Sequence, residues 1–388
     1  MQRCRGAQAR SPPPRPRRHR HHGERHRPAL LHHRAVRRDE ARRGAGARAP
    51  DGSAHARASR PLSVGVGDSH LNPAEYDFIA ARRRLEAKPK SASEKLTSLE
   101  DAGSRVRDGD IVAVGGILFS RTPWALVREI LRSRRTGLTL VRNLMCYEGE
   151  LMMVAGAVNR VMTAWMGIGL PWGVSKIMRE YVESGKVAYE EWSHLALGLR
   201  FRAAAMGLPF LPTLTMAGSD LARVNAMKTV DDPYTGQRLG AVPALYPDVA
   251  ILHVHRADRF GNCQIDGYPH MDADIARAAA TVLVTTEELI SDDDVRRHPD
   301  RTVIPGFVVD AVALQPFGSF PHECYGLYEA DVEHFDEYVA GITARGGAAV
   351  AEYLERYMYA PASYVDYLDL FGGERLARQQ RRARELVG

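Results

Sequence analysis

No stretch of this chain reaches the ~18 consecutive apolar residues that a membrane-spanning helix needs, which excludes a helical membrane protein. A dinucleotide fingerprint is also missing, because Gly167, Gly169 and Gly173 do not have the G-x-G-x-x-G spacing. Neither a nucleophile elbow G-x-S-x-G nor a Ser/His/Asp order is present, which argues against a serine hydrolase. Cysteine is scarce: Cys4, Cys146, Cys263 and Cys324 lie too far apart for a metal-knuckle spacing. Four cysteines without a secretory apolar region read as reduced thiols in a cytoplasmic protein.

The first 60 residues lack lysine and every aromatic residue. They hold 17 Arg against 4 acidic residues, a formal charge of +13 in a chain whose total is +6, so the remainder carries −7. The high isoelectric point therefore belongs to the arm. With 7 His, 6 Pro and so little apolar surface, residues 1–90 are expected to be a disordered Arg/His/Pro-rich extension. Arginine without lysine points to an over-extended translation start. Basic residues could bind phosphates, but no aromatics interleave and no helix-turn-helix follows, so no nucleic-acid partner is expected. No amphipathic helix of the transit-peptide kind fits there either.

The most informative segment runs from Asp110 to Pro123, DIVAVGGILFSRTP. Ile111 to Val114 lack polar alternation, as in a parallel strand buried on both faces. Gly115 and Gly116 then either let a ligand approach the main chain or make a tight strand-to-helix turn. Pro123 suits the start of the helix read from WALVREILR. A strand end, a glycine pair and a helix start together can hold an anionic or carbonyl oxygen. Further strands are expected at 138–141, 161–165, 249–255 and 281–285, with helices at 174–184, 194–206 and 273–280. The alternation predicts an open, mostly parallel α/β sheet with helices on both faces, occupying residues 94–382. In such sheets ligands sit outside the carboxyl ends of the strands, so Gly115, Gly116 and the segment after Trp165 share a candidate rim.

Other chemistry-bearing residues have two readings each. His253 and His255 share a strand face, which suits metal ligation, yet no third ligand is evident nearby and no metal site is expected. Glu287 and Glu288 follow TVLVTT, as a rim carboxylate or as the acidic first turn of a helix. Asp310, after VIPGFVV, is likewise a rim carboxylate or a polar strand end.

Three segments carry a resemblance: DIVAVGGILFSRTPWALVREILR (110–132), LRFRAAAMGLPFLPTLTMAGSDL (199–221) and TEELISDDDVRRHPDRTVIPGFVVDAVALQPFGSFPHECYGLY (286–328). They resemble the α (A) subunits of the family I CoA-transferases of the glutaconate type, over roughly Glu94 to Arg382. The resemblance implies a CoA-transferase fold of the NagB/RpiA-like type. It also implies a heteromer with a separate β subunit, and ping-pong movement of CoA between an acyl-CoA and a carboxylic acid. Coenzyme A is then part of the substrate, and no permanently bound cofactor is expected. In the family a β-subunit glutamate is the nucleophile, giving an acyl-glutamyl anhydride and then a glutamyl-CoA thioester. This chain alone is accordingly expected to be inactive. Its own contribution to the oxyanion pocket or pantetheine channel would come from Gly115, Gly116 and Ile117.

At 163–173 the chain reads TAWMGIGLPWG, where the glutaconate enzymes carry a hydroxyl- and asparagine-rich segment. Trp165, Met166 and Gly167 are candidates for the acyl site, and their apolar surroundings make a dicarboxylate such as glutaconate doubtful. They read equally well as core. A second branch, hydrolases opening cyclic β-diketone CoA esters, resembles the AAAxxLPFLP helix and places a catalytic glutamate near His194 here. Glu190 and Glu191 lie one turn earlier, so Glu191 and His194 are the candidate catalytic residues of that alternative.

Overall fold

A computed structural model describes residues 77–387, Leu170 apart. The basic arm, residues 1–76, lies outside the described residues. The main sheet has nine strands among the described residues, seven of them parallel, β1 (Ile111–Val114), β2 (Leu138–Val141), β3 (Val158–Thr163), β4 (Ala188–Glu191), β5 (Val249–Ala257), β6 (Thr281–Leu289) and β7 (Ala311–Leu314), with Cys263–Gln264 and Thr302–Ile304 added antiparallel beside β5. Their spatial order is β4-β3-β2-β1-β5-β6-β7. The chain thus winds outward from β1 to β4, returns to lay β5 against β1, and winds the other way. Strand order reverses between β1 and β5, so their carboxyl ends flank the switch-point crevice of an open α/β sheet.

The central strands are apolar on both sides because each side faces a core, whereas the edge strand β4 carries Glu190 and Glu191. Val112 and Val114 of β1 enter one cluster, with Trp124 and Leu126 of α1 (Trp124–Arg132) and Leu151 of α2 (Tyr147–Val154). Ile111 and Ala113 enter the other, with Leu197 and Phe201 of α3 (His194–Met206) and Ile275 of α4 (Asp272–Ala278). Helices therefore cover both faces, as two buried faces demand. Ser193 caps α3 by accepting the Ala196 amide, and Gly207, at φ +70, ends it.

Four C-terminal helices, α5 (Val332–Arg345), α6 (Gly347–Tyr353), α7 (Tyr364–Asp369) and α8 (Gly373–Val387), add a layer that sequence periodicity did not reveal. Phe335, Tyr353 and Tyr367 from this layer pack into the first core. A small antiparallel sheet (Phe210–Thr213, Lys228–Asp231, Arg238–Pro243) was also unforeseen. Nor does the extension expected over 1–90 reach that far. Residues Phe78–Ala87 form a helix whose Ala81 is buried in the second core, and α8 runs past residue 382. Among the described residues no helix is long and apolar enough to cross a membrane.

Candidate active site

The crevice wall begins where β1 ends. Gly116 has φ +68, and a Cβ there would lie 2.3 Å from the Ser120 carbonyl oxygen and 2.6 Å from that of Arg121. The backbone of the following turn approaches so closely that only glycine fits. At Gly115 a Cβ would meet the Leu252 side chain at 2.4 Å. All three candidate amides are engaged within the fold: Gly115 donates to the Ile251 carbonyl (3.0 Å), Gly116 to Asp272 Oδ1 (2.8 Å) and Ile117 to the Ser120 carbonyl (2.9 Å). The glycine pair thus shapes the turn, and its N–H groups are spent.

Two buried ion pairs clamp that turn. Arg121 and Asp272 are both fully buried, with Arg121 Nη1 donating to Asp272 Oδ2 and Nη2 to the Tyr268 carbonyl (3.0 Å). On the other side Arg142, just past β2, donates to Glu148 Oε1 (2.5 Å), the Leu118 carbonyl (3.0 Å) and Thr122 Oγ1 (2.9 Å). Leu118, Arg121 and His270 hold positive φ without being glycine (48°, 54° and 50°). Such conformations persist only where surroundings over-determine them, and they gather at functional sites.

The rest of the wall joins the ends of β2, β3 and the start of α3. The Asn143 carbonyl accepts the Ala164 and Trp165 amides (3.0 and 3.2 Å), and its side-chain nitrogen donates to the His194 carbonyl (3.0 Å). His194 Nε2 faces His270 Nε2 at 3.4 Å, and the His270 and Tyr268 rings lie 5.8 Å apart. Burial pushes the His270 imidazole down to about 4, so it is neutral at pH 7. Asn143 Oδ1 and His270 Nδ1 are buried without a partner among the described residues. The crevice therefore offers two imidazoles and an amide beside two buried arginine–carboxylate pairs.

The structure brings Gly115, Gly116, Ile117, Trp165, Gly167 and His194 to one rim, at the carboxyl ends of β1 and β3 and the N-terminus of α3. Trp165 is half-buried, and its indole lies over Gly167, where a Cβ would meet the ring at 2.6 Å. Met166 belongs to the first core and is only 7% exposed. Glu191 is exposed on β4, the sheet's edge strand, and its carbonyl accepts the Asn225 side chain. Glu190 is ion-paired with Arg160 and Arg200 and takes the Trp192 indole N–H at 2.5 Å. Although burial opposes it, those arginines hold the Glu190 carboxyl below its usual range.

Glu287 and Glu288 are not a helix start, because β6 continues through Leu289. Glu287 accepts the Phe317 and Gly318 amides (2.8 and 3.1 Å) and the Tyr328 hydroxyl (2.6 Å), and faces His253 Nε2 at 2.7 Å. His253, Glu287 and Cys324 lie within 4.8 Å of one another, but these hydrogen bonds make Glu287 the anchor of the 316–328 loop. His255 is turned to the Tyr325 carbonyl (2.9 Å) and the Asp266 amide (3.2 Å). Asp310 accepts the Val282 amide and pairs with Lys88 (2.7 and 2.5 Å), away from the rim. Asn143, His270 and Asp272 escaped sequence reasoning. The only signal was MDAD opening a helix after a histidine, and acids in a first turn are common.

The coenzyme A transferase family model matches residues 96–315. The chain belongs to the coenzyme A transferase family. It is 36% identical to the α (A) subunit of the glutaconate CoA-transferase of Acidaminococcus fermentans over 255 residues, 61% of this chain and 80% of that one. The crystal structure of the A. fermentans glutaconate CoA-transferase superposes with a TM-score of 0.70 at 32% identity, covering 74% of this chain and 95% of that one. A cholesterol ring-cleaving hydrolase IpdA subunit of Rhodococcus jostii is 30% identical over 263 residues, 64% of this chain and 88% of that one.

Proposed function

We propose that this chain is the α subunit of a heteromeric CoA-transferase that moves CoA between an acyl-CoA and a carboxylic acid, with the nucleophilic glutamate on a separate β subunit. One observation carries this reading. The two carboxylates that clamp the turn after β1, Asp272 and Glu148, are each ion-paired with a buried arginine, and Glu323 beside that turn is bonded to Ser120, so each of the three is held by the fold. A nucleophile must then come from across the crevice, which a second subunit of related fold would face.

In the exchange, the partner carboxylate attacks the thioester carbonyl and CoA leaves as thiolate. The thiolate attacks the resulting anhydride and releases the first acid, and a second acid then takes the acyl-enzyme path in reverse. Tetrahedral oxyanions form at each step and require preorganised donors. The rim supplies imidazole N–H donors at His194 and His270, while the Asn143 side-chain nitrogen is engaged by the His194 carbonyl and the Met271 sulfur. CoA enters and leaves as substrate.

The hydrolase reading is weaker in this chain. Where that branch needs a free carboxylate, His194 stands at the start of α3, Glu190 is held by two arginines and Glu191 is exposed on the edge strand. The test is an exchange assay with acetyl-CoA and a second acid, run on this chain alone and on its complex with the β subunit. New acyl-CoA from the complex alone supports the reading. Free CoA accumulating without a new acyl-CoA overturns it.

A further inference from the structure

The guanidinium groups that clamp the crevice turn each face a buried carboxylate. Arg121 and Arg142, the two that hold the turn after β1, are each about fully buried. Arg121 is spent on Asp272 and on the carbonyls of His253 and Tyr268. Arg142 binds Glu148, the Leu118 carbonyl and the Thr122 hydroxyl through its two Nη atoms, with its buried Nε unpartnered among the described residues. Neither can turn outward without breaking a buried ion pair and leaving its carboxylate uncompensated. The His194 and His270 rings share their facing nitrogens. At the mouth stand the Trp165 indole, half-buried over Gly167, and the Tyr268 ring, 64% exposed.

An acyl chain in this crevice meets aromatic faces, two imidazoles and one amide. A second carboxylate would leave water for a wall of no net positive charge, and desolvation would oppose it without a compensating cation. Resting on the CoA-transferase reading above, we propose that the crevice of this protein selects acyl groups with an uncharged distal end. The substrates are then monocarboxylic acids, in contrast to the dicarboxylate after which the related glutaconate enzyme is named.

The experiment uses the complex with the β subunit, with acetyl-CoA as donor, and acceptor pairs that differ only in a terminal carboxylate: butyrate against glutarate, and crotonate against glutaconate. The expected result is a kcat/KM at least tenfold higher for the monocarboxylate of each pair. Equal or better use of the dicarboxylates overturns the proposal while leaving the transferase reading intact. Absence of transfer to any of the four acids, and to propionate, counts instead against the transferase reading. A second arm places a cation at the mouth with Tyr268→Arg, which keeps the backbone carbonyl that Arg121 uses. The glutarate-to-butyrate ratio should rise about tenfold at low salt and fall back as salt is added. An unchanged ratio overturns the placement of the acyl end in this crevice.

Discussion

Asp272 accepts the amide of Gly116 at 2.8 Å across 156 positions of sequence, tying the turn after β1 to the first turn of α4. Its other oxygen takes Arg121, so one carboxylate fixes both walls of the switch-point crevice. Asp272→Asn keeps an acceptor for Gly116 but sets an amide against a buried guanidinium. Breaking such a pair costs about 3–5 kcal/mol, and thermal unfolding of the variant should show a loss of several degrees or more. Unfolding within a degree of the parent would contradict the clamp.

Gly116 and Gly109 separate backbone conformation from crowding. Both have positive φ, +68 and +83, but a Cβ at Gly109 meets nothing within 4 Å, whereas at Gly116 it strikes two carbonyl oxygens. Gly109→Ala should cost roughly 1–2 kcal/mol, the strain of a left-handed residue. Gly116→Ala should cost clearly more, with the turn displaced. Denaturant unfolding of the two variants side by side checks the difference, and equal losses would remove the crowding argument.

The helix Phe78–Ala87 defines where the N-terminal arm can be cut. Lys88 Nζ bonds the Val308 carbonyl at 2.6 Å and Asp310 at 2.5 Å, and Ala81 is buried. Removal of residues 1–76 is expected to leave the melting temperature unchanged, whereas removal of 1–90 exposes part of the second core and lowers it. Two truncations with identical melting curves would show that this helix contributes nothing.

Glu150 is fully buried, with the hydroxyls of Tyr338 and Ser175 on its two oxygens. Burial pushes its carboxyl up from 4.5 to about 7 despite those bonds. A folded-state value above the unfolded one contributes stability that is full below pH 4.5 and lost as pH rises through about 7. Glu150→Gln removes the ionisation while still accepting from Tyr338 and donating to Ser175. The variant should gain up to about 3 kcal/mol at pH 8, at 1.36 kcal/mol per pH unit, and lose its advantage near pH 4.5. Melting temperatures across that range test it, and a variant less stable at pH 8 would refute the burial argument.

The parallel strands were legible because a strand buried on both faces writes a continuous apolar run. The run expected at 138–141 is β2, and that at 249–255 is β5 short by two residues. The helix expected at 194–206 is α3, since Ser193 and Gly207 mark its ends. β6 outran its reading because Glu287 is hidden by the 316–328 loop, a tertiary contact that no local pattern announces. The crevice was legible only in part. Gly115 and Gly116 stand out in sequence, but what they pack against, Asp272 and the Ser120 carbonyl, depends on a fold that brings α4 to β1. Likewise nothing near His194 signals that His270 will face it.

The central claim is that this chain builds one wall of a CoA-transferase site and borrows its nucleophile. Intact-mass measurement of both subunits after incubating the complex with acetyl-CoA tests it most directly. A covalent CoA thioester should appear on the β subunit, and this chain should stay unmodified. A CoA adduct on this chain, or acetyl-CoA consumed with no adduct on either protein, would contradict it.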